Sequence, residues 1–430
     1  MSPAAAGTAR GGATFAGGAT FPVDALRAQF PALERAPSFI FFDNAAGAQI
    51  PRSVLDAVNE HLLEHNVQRG GRYPQSMAVD RMIERARDRV ATFVNASRPE
   101  EIAFGMNATS FIRIMSLAIG QTLCERNEIV VTDIDHAANV ATWLALERTG
   151  ARLRWWRMRG DGALHVEDLE PLLSARTRLV ACTLASNALG TLLDVRPVAE
   201  RVHAAGAEIF LDAVHYAPHA LIDVQRFDCD YLVCSGYKIF APHMGFLWGR
   251  YELLAALPTF REDFIPDEPP GKIEAGTFVY ENVAGMAAAI EYLAQLGRTL
   301  AGGGGAAEGC SREDICRAMH GIQAYEQHLS LELLRVLHDS GAAVYGVQEE
   351  GRVAERVPTV CFNLPGVPPA AVTSAAARAE IGIRDGHMYS PSLMRRLGLS
   401  PESGAVRVSL VHYNTVSELQ RLHEVLLEQR

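Results

Sequence analysis

Lysine is almost missing from this chain of 430 residues, in which Lys238 and Lys272 are the only two lysines. Positive charge in excess is missing too, because 50 acidic residues against 40 basic ones give a formal net charge of -10. An acidic chain repels phosphate-rich surfaces, so we expect neither nucleic acid nor an anionic membrane as a partner. No apolar run reaches the length that crosses a bilayer, which also argues against a membrane protein.

Paired cysteines are absent as well. The seven cysteines are odd in number and never form a Cys-x-x-Cys pattern, and several lie in apolar strand-like runs. This usage predicts free, mostly buried thiols in a reducing, cytoplasmic setting. The Ala- and Gly-rich first twenty residues contain no continuous apolar core, so we expect no secretory signal there. No cysteine occurs between residues 362 and 430.

Helical and strand-like patterns alternate between residues 80 and 250. This alternation predicts a mostly parallel sheet covered by helices. Beyond a Gly-rich connection, a long helix, two strand-like runs and a closing helix predict a smaller α+β domain. The strand-like runs are 128–132, 152–158, 178–184, 207–212 and 230–235; the helices are 79–95, 109–123, 137–149, 195–205, 311–339 and 415–428. The expected parts are a flexible tail (1–20), an N-terminal segment packing with the small domain (21–40), the large domain (41–295), the connection (296–310) and the small domain (311–430).

One lysine stands where a buried strand ends, in LVCSGYKIFAPHMG at residues 232–245. Lysine is rarely buried, whereas ligands of open α/β sheets bind at the carboxyl ends of the strands. The other runs end in Asp212, in Asn187 and, through Asp135, in His136. We therefore expect an amine, an acid, an amide and an imidazole to share one cleft.

This set of groups suits pyridoxal phosphate (PLP). A lysine amine at such a place can form a Schiff base with a carbonyl compound. An aspartate can keep the pyridine nitrogen protonated, which makes the ring an electron sink. The start of the 109–123 helix, with Ser235, offers N–H and hydroxyl groups to a phosphate. The alternative for Lys238 and Asp212 is an ordinary ion pair at a strand end.

Short segments that follow one another along nearly the whole chain resemble those of a known enzyme family. From about Phe42 onward the chain resembles the fold-type I PLP-dependent enzymes of aminotransferase class V, close to the cysteine desulfurases. The resemblance implies an α/β fold-type I PLP-dependent transferase with a mostly parallel, seven-stranded type of sheet. The segments are FFDNAAGAQIP, QRGGR, FGMNATS, DHAANVATW, ASNALGT, LDAVHYAPH, CSGYKIFAPHMG, EAGTF and VRVSLVHYNT.

The resemblance also implies roles for single residues. Lys238 would carry PLP, Asp212 would pair with its ring nitrogen and His136 would stack on the ring, so these three are the expected catalytic residues. Arg407 would clamp the substrate carboxylate. The remaining expected cofactor contacts are Asn187, Ala108, Thr109, Ser235, His215, Tyr237 and, from a neighbouring subunit, Thr277. Further substrate contacts are expected at Asn44, Ala46, Tyr389 and Arg384.

Three departures from the desulfurases shape the expected activity. Tyr237 replaces a histidine beside the phosphate, and His215 replaces a glutamine after the acid. In IRDGHMYSPSLM (383–394), Tyr389 stands where desulfurases carry a nucleophilic cysteine. A persulfide cannot form without a thiolate that reaches the substrate sulfur. Cys361 lies in an apolar run and is expected in the core.

The expected activity is therefore C–S cleavage of an S-substituted cysteine conjugate by β-elimination. Similar relatives act as tailoring enzymes for sulfur-containing natural products, including lincosamide-type antibiotics. The alternatives are an oxygen-dependent decarboxylating deaminase of the same conjugates, a cysteine desulfurase, an epimerase or aminotransferase, and a non-catalytic PLP-fold partner. A homodimer with the active site at its interface is expected. The pattern H-x-x-E-H at His61–His65 is too short a match to predict a metal, and none is expected.

Overall fold

The structure, a computed structural model, describes residues 21–274, 276–303 and 309–429. The expected tail and residues 304–308 of the expected connection lie outside the described residues. The helices are α1 (Val23–Arg27), α2 (Pro31–Arg35), α3 (Arg52–Glu64), α4 (Pro74–Val94), α5 (Ala108–Gly120), α6 (Ala138–Leu144), α7 (Val166–Leu169), α8 (Val195–Ala204), α9 (Val224–Phe227), α10 (Tyr251–Ala256), α11 (Tyr280–Leu300), α12 (Arg312–Asp339), α13 (Pro369–Arg378), α14 (Pro391–Arg396) and α15 (Val416–Leu427). The strands are β1 (Ile40–Phe41), β2 (Ile102–Gly105), β3 (Glu128–Thr132), β4 (Arg152–Trp156), β5 (Thr177–Thr183), β6 (Glu208–Asp212), β7 (Tyr231–Ser235), β8 (Gly245–Gly249), β9 (Ala343–Tyr345), β10 (Thr359–Asn363), β11 (Ile381–Gly382), β12 (Arg384–Gly386) and β13 (Ala405–Ser409).

A seven-stranded sheet forms the centre of the large domain. Its order is β2-β8-β7-β6-β5-β3-β4, and β7, β6, β5, β3 and β4 run parallel, while β8 is antiparallel to both of its neighbours. The expectation of a mostly parallel α/β sheet is thereby confirmed.

Helices cover both faces of this sheet. Val130 of β3 packs with the core that contains α4, α8 and α11, whereas its neighbours Ile129 and Val131 pack with α5 and α6. Successive side chains of a strand point to opposite faces, so a strand between two helical layers must be apolar on both. This explains why runs such as EIVVT and YLVCS are buried throughout.

A second, antiparallel sheet of order β12-β13-β10-β9 lies in the C-terminal part, where α12 and α15 pack together. The N-terminal segment joins it through β1, which pairs in parallel with β11. Helix α11 packs on α3, α4 and α12 and continues to Leu300. The boundary expected at residue 295 therefore falls inside a helix, because the apolar positions of this helix extend to its last turn.

The described helices include none with the length and apolar composition needed to cross a membrane. The strands β3, β5, β6 and β7 all end at one edge of the large sheet, and this edge is where a ligand site is expected. Since these strands are parallel, the loops that follow them meet at one edge.

Candidate active site

Lys238 lies in a tight turn directly after β7. The turn Gly236–Lys238 needs glycine at its start, because a Cβ on Gly236 would lie 2.7 Å from the carbonyl oxygen of Pro242. Lys238 is only 6% exposed. Burial and, to a smaller extent, Arg407 lower the pKa of its amine and Asp212 raises it, with a net result of about 8. A sizeable fraction of the amine is therefore neutral and nucleophilic near neutral pH.

Asp212 faces the same cleft from the end of the neighbouring strand β6. It is buried, and its carboxylate accepts a hydrogen bond from the Val214 N–H at 2.9 Å. Burial raises the pKa of this carboxyl, while Lys238 lowers it. A buried carboxylate is stabilised by a cation or by hydrogen bonds, and a protonated ring nitrogen supplies both.

The start of α5 forms an anion cradle next to the lysine turn. Asn107 caps the helix by accepting the Ser110 N–H at 2.9 Å, and the Ala108 N–H donates to Ser235 Oγ at 3.1 Å. Strand β8 passes so close that a Cβ on Gly245 would lie 2.6 Å from the Asn107 backbone. N–H groups at the start of a helix attract phosphate, and here a hydroxyl stands beside them.

His136 is held over the cleft by the loop after β3. In that loop the buried Asp135 accepts hydrogen bonds from the Asn139 amide at 2.7 Å and the Thr183 N–H at 3.1 Å, and burial raises its pKa to about 7. His136 Nδ1 accepts the Ala138 N–H at 3.1 Å, which places the ring proton on Nε2. Burial, helped by Lys238, lowers the pKa of His136 to about 4. The ring is therefore neutral and suited to stacking on a flat cofactor.

Arg407, in β13, lies next to the cleft, because it donates to the carbonyl of the lining residue Asn187. Arg407, Arg384 and Tyr389 are not themselves among the residues that line the cleft. The Arg407 guanidinium donates to Asp43 Oδ1 and to the Asn187 carbonyl, both at 2.9 Å, and the same Asp43 carboxylate accepts Arg384 Nε at 2.9 Å. Arg407 Nε is buried without a hydrogen-bond partner among the described residues. A buried donor without a partner is costly, so this edge of the guanidinium is suited to accept the carboxylate of a ligand.

The Asn187 side chain ties the cleft to the loop that carries Tyr389. Its amide donates to the Met388 carbonyl at 2.7 Å and accepts the Ser390 hydroxyl at 3.0 Å. Met388 and Tyr389 adopt the left-handed conformation, with φ of 51° and 57°. Such strain in non-glycine residues persists only where the surroundings impose it. Tyr389 is 53% exposed, and its ring lies 5.7 Å from the His136 ring between centroids.

No cysteine is found among the described residues that line this cleft. Cys361 lies in β10 opposite Arg407 and is fully buried, and burial raises the pKa of its thiol to about 12. Burial also raises the pKa values of Cys182, Cys229 and Cys234. All seven cysteines are free, but none of these four offers a reactive thiolate.

The structure brings most of the expected cofactor residues together around a cleft of about 430 Å³. Thr277 is not among its lining residues: it is exposed and accepts the Gln68 amide at 2.7 Å. The contribution of Thr277 from a neighbouring subunit stays a prediction. The expected residues in the lining are Ala108, Thr109, His136, Asn187, Asp212, His215, Ser235, Tyr237 and Lys238.

The side chain of Asn44 forms hydrogen bonds within the protein. Its amide donates to the carbonyls of Phe41 and Ser409 and accepts the Tyr413 hydroxyl, so its side chain ties the N-terminal segment to the small domain. The Ala46 N–H also donates within the protein, to the Asp43 carbonyl at 2.9 Å. The substrate contacts expected at Asn44 and Ala46 stay predictions. Sequence reasoning missed Asp43, although an acid directly after the apolar run FIFF was a usable signal. It also missed Ser390, for which the sequence offered none.

These groups fit PLP. A buried amine of lowered pKa, a buried acid, a phosphate cradle and a neutral flat imidazole surround one cleft, and each matches a different part of that cofactor. Lys238, Asp212, Asn187 and His136 lie on the loops after the neighbouring strands β7, β6, β5 and β3, at the edge where α/β proteins bind ligands.

Comparison with known proteins agrees with this geometry. The sequence matches the aminotransferase class-V family over residues 40–301 and 316–422. It is 33% identical over 432 residues to a cysteine desulfurase of Synechococcus elongatus, covering 96% of this chain and 64% of that protein. It is 34% identical over 415 residues to the aminotransferase-like protein FGM3 of Gibberella zeae, covering 94% of this chain and 97% of that one.

Solved structures give the same result. The apo structure of a cysteine desulfurase from Thermococcus onnurineus superimposes with a TM-score of 0.84 at 26% identity, covering 95% of this chain and 98% of that one. The desulfurase CsdA of Escherichia coli gives a TM-score of 0.79 at 25% identity over 96% of this chain and 99% of that one. The chain therefore belongs to the aminotransferase class-V family of PLP-dependent enzymes, with cysteine desulfurases among its similar relatives.

Proposed function

We propose that this protein cleaves the C–S bond of an S-substituted cysteine conjugate by β-elimination. The observation that carries the proposal is the missing thiol. Tyr389 occupies the loop beside His136, and Cys361 is enclosed in the core with a raised pKa. Elimination needs no protein thiol, because the thiolate of the substrate leaves directly from Cβ.

A second cleft supports a bulky substituent. It encloses about 630 Å³, open solvent included, and is lined by residues within 39–49 and by Gly382 and Arg384, among them Phe39 and Phe41. Arg384 shares the Asp43 carboxylate with Arg407, so this cleft borders the place proposed for the substrate carboxylate. Its lining combines these two aromatic residues with polar ones such as Asn44 and Gln49, so it can contact a substituent that has both apolar and polar parts.

The residues of the main cleft have these proposed roles. Arg407 holds the α-carboxylate of the substrate through Nε and a terminal nitrogen, and Asp43 and the Asn187 carbonyl keep the guanidinium in place. Bound PLP supplies an electron sink for the bond that breaks at Cα. The Lys238 amine would take the α-proton, for which its lowered pKa is suitable. Asp212 would keep the ring nitrogen of the cofactor protonated, and the His136 ring would lie against the cofactor.

We also propose a homodimer, cytoplasmic location and a task in the biosynthesis of a sulfur-containing natural product, such as an antibiotic. The dimer is supported by Thr277, which is exposed beside a surface cleft that also includes the exposed Met106. In a dimer a second copy can bring this threonine to the phosphate cradle. The cytoplasmic location is supported by the seven free cysteines.

Product analysis with a panel of S-conjugated cysteines tests the reaction. Elimination gives the free thiol, pyruvate and ammonia without oxygen uptake. The decarboxylating alternative gives carbon dioxide and an aldehyde that retains the C–S bond, and it consumes oxygen. An oxygen electrode and mass spectrometry on one conjugate separate these outcomes, with the Lys238→Ala variant as the blank. The second outcome would overturn elimination, and so would persulfide formation from free cysteine.

A further inference from the structure

One buried imidazole in the lining of the main cleft around Lys238 is bonded to a strand of the C-terminal sheet. His215, which follows β6, is 2% exposed and is one of the lining residues. Its Nε2 forms a hydrogen bond with the Thr359 hydroxyl of β10 at 3.0 Å. Its Nδ1 is buried and has no hydrogen-bond partner among the described residues. The ring therefore has one nitrogen held by a strand and one left for a ligand.

The Thr359 hydroxyl determines which nitrogen of the His215 ring carries the proton. Thr359 is fully buried, and its hydroxyl forms no other hydrogen bond among the described residues. If Nε2 donated to this hydroxyl, the hydroxyl proton would be buried without an acceptor, which is costly. If the hydroxyl donates to Nε2 instead, the proton of the neutral ring is on Nδ1. This second arrangement leaves one unpaired donor, the Nδ1–H, which a ligand in the cleft can satisfy.

The His215 ring is neutral. Burial, then His219, Lys238 and Arg407, holds the pKa of His215 well below its usual range. A neutral imidazole has one donor and one acceptor nitrogen, so Nδ1 donates while Nε2 accepts. The other titratable side chains in the lining of the cleft are His136, Asp212 and Tyr237.

Elimination identifies an acceptor for this N–H on bound PLP. The N–H groups at the start of α5 and the Ser235 hydroxyl suit the phosphate, Asp212 suits the ring nitrogen and Lys238 suits the aldehyde carbon. The ring hydroxyl is the remaining polar group of the cofactor, and as an anion it accepts hydrogen bonds. The Asn187 amide, also in the lining, already donates to the Met388 carbonyl. The unpaired imidazole N–H is therefore available to the ring oxygen.

We propose that His215 donates its Nδ1–H to the ring oxygen of bound PLP, and that Thr359 is a positioning residue that fixes the proton on Nδ1. The hydrogen bond stabilises the anionic oxygen, so it lowers the pKa at which the bound cofactor loses its proton. Thr359 lies opposite Ser409 of β13, the strand that carries Arg407. The strand pair that contains the arginine proposed for the substrate carboxylate thus also acts on the cofactor. The proposal rests on the PLP site but not on which substrate bond breaks.

The first experiment measures the tautomer in the holoenzyme. With isotopically labelled histidine, nitrogen NMR distinguishes a protonated ring nitrogen from an unprotonated one by its chemical shift. The signals of His215 are those that disappear in His215→Phe. We expect a protonated Nδ1 in the unaltered protein and a lower fraction of this tautomer in Thr359→Val, which has nearly the same shape without the hydroxyl. A protonated Nε2 in the unaltered protein overturns the proposal.

The second experiment follows the visible absorbance of the bound cofactor during a pH titration. In His215→Phe, which removes the donor, we expect the midpoint to rise by about one pH unit. Thr359→Val should raise the midpoint by less, and Thr359→Ser, which keeps the hydroxyl, should restore the midpoint of the unaltered protein. The proposal is overturned if His215→Phe leaves the midpoint unchanged, or if Thr359→Ser shifts it as far as Thr359→Val.

Thr191→Val is the matched control. Thr191 is also buried, but its hydroxyl has no hydrogen-bond partner among the described residues, and it is absent from the lining of the main cleft. Its substitution should leave the titration unchanged. A shift as large as that of Thr359→Val would show that the loss of any buried hydroxyl has this effect, which overturns the role of Thr359. The expected titrations without C–S cleavage of any conjugate would contradict the proposed function and leave this proposal in place.

Discussion

The two ends of the cleft are built in different ways. The end proposed for the cofactor, the cofactor end, has Lys238, Asp212 and His136 on loops that follow strands of one sheet. The end proposed for the substrate, the substrate end, is assembled from distant parts: Arg407 reaches Asp43 across 364 positions, and Asn187 reaches Met388 across 201. The geometry of the cofactor end depends on the order of the strands in one sheet. The geometry of the substrate end depends on how the segments around Asp43, around Asn187 and in the C-terminal part come together.

This difference implies that the two ends fail separately. The cofactor end is formed by the large sheet and its loops, so the protein should still bind the cofactor when Arg407 or Asp43 is substituted. Damage at Lys238 should abolish both cofactor attachment and chemistry. Experiments that measure cofactor content and catalysis on the same variant test whether the two ends are independent.

The largest effect is expected for Lys238→Ala. Without its amine the cofactor has no covalent attachment and the substrate has no general base, so activity should fall by about 10³-fold or more. Absorbance spectra and borohydride reduction with peptide mapping check the attachment. The control is Lys272→Arg, because Lys272 pairs with Asp267 at 2.8 Å and is absent from the lining of the cleft. A reduced cofactor label on Lys272 would refute the assignment.

This contrast also explains how far the sequence could predict the site. Lys238, Asp212 and His136 follow apolar runs, and parallel strands end at one edge, so their meeting was predictable from strand periodicity. The Asp43–Arg384–Arg407 group was not, because it requires the register of β12 against β13 and the docking of the N-terminal segment. Helix α11 was missed because most of its residues are small or apolar and buried, and the polar residues Glu291, Gln295 and Arg298 that mark its exposed side occur only in its second half. The roles of the remaining site residues were predicted from the resemblance to aminotransferase class V.

The second effect concerns Arg407→Lys. Lysine keeps the charge but loses the planar fork, and a hydrogen bond to a charged group contributes roughly 1.5–3 kcal/mol. We expect kcat/KM to fall roughly 10- to 150-fold, while cofactor content stays unchanged. Arg384→Lys is the matched comparison and should cost less, because the Arg384 side chain is 40% exposed and that of Arg407 2%. An unchanged kcat/KM would remove Arg407 from the site.

A smaller effect is expected for Asp43→Asn, which tests a positioning role. The amide preserves the shape of the side chain but weakens the charge-assisted bonds to Arg384 and Arg407. KM should rise roughly 3- to 10-fold with little change in kcat, because Arg407 is oriented less well. Asp385→Asn is the control, since Asp385 lies next to Arg384 but bonds to Thr373 at 2.7 Å. Equal effects of both variants would mean that only the local charge matters.

The smallest effect is expected for Cys361→Ala, which tests the reaction class. The Cys361 thiol is enclosed beneath the substrate end, and its pKa of about 12 leaves almost no thiolate at neutral pH. The substitution should cost about 1 kcal/mol of stability and leave conjugate cleavage within about threefold. Free cysteine should leave no persulfide on the unaltered protein after alkylation and peptide mapping, and the exposed Cys124, replaced by alanine, controls for adventitious labelling. A persulfide on Cys361 that disappears in Cys361→Ala would contradict elimination and favour a desulfurase, because sulfur would then pass to a protein thiol at the substrate end.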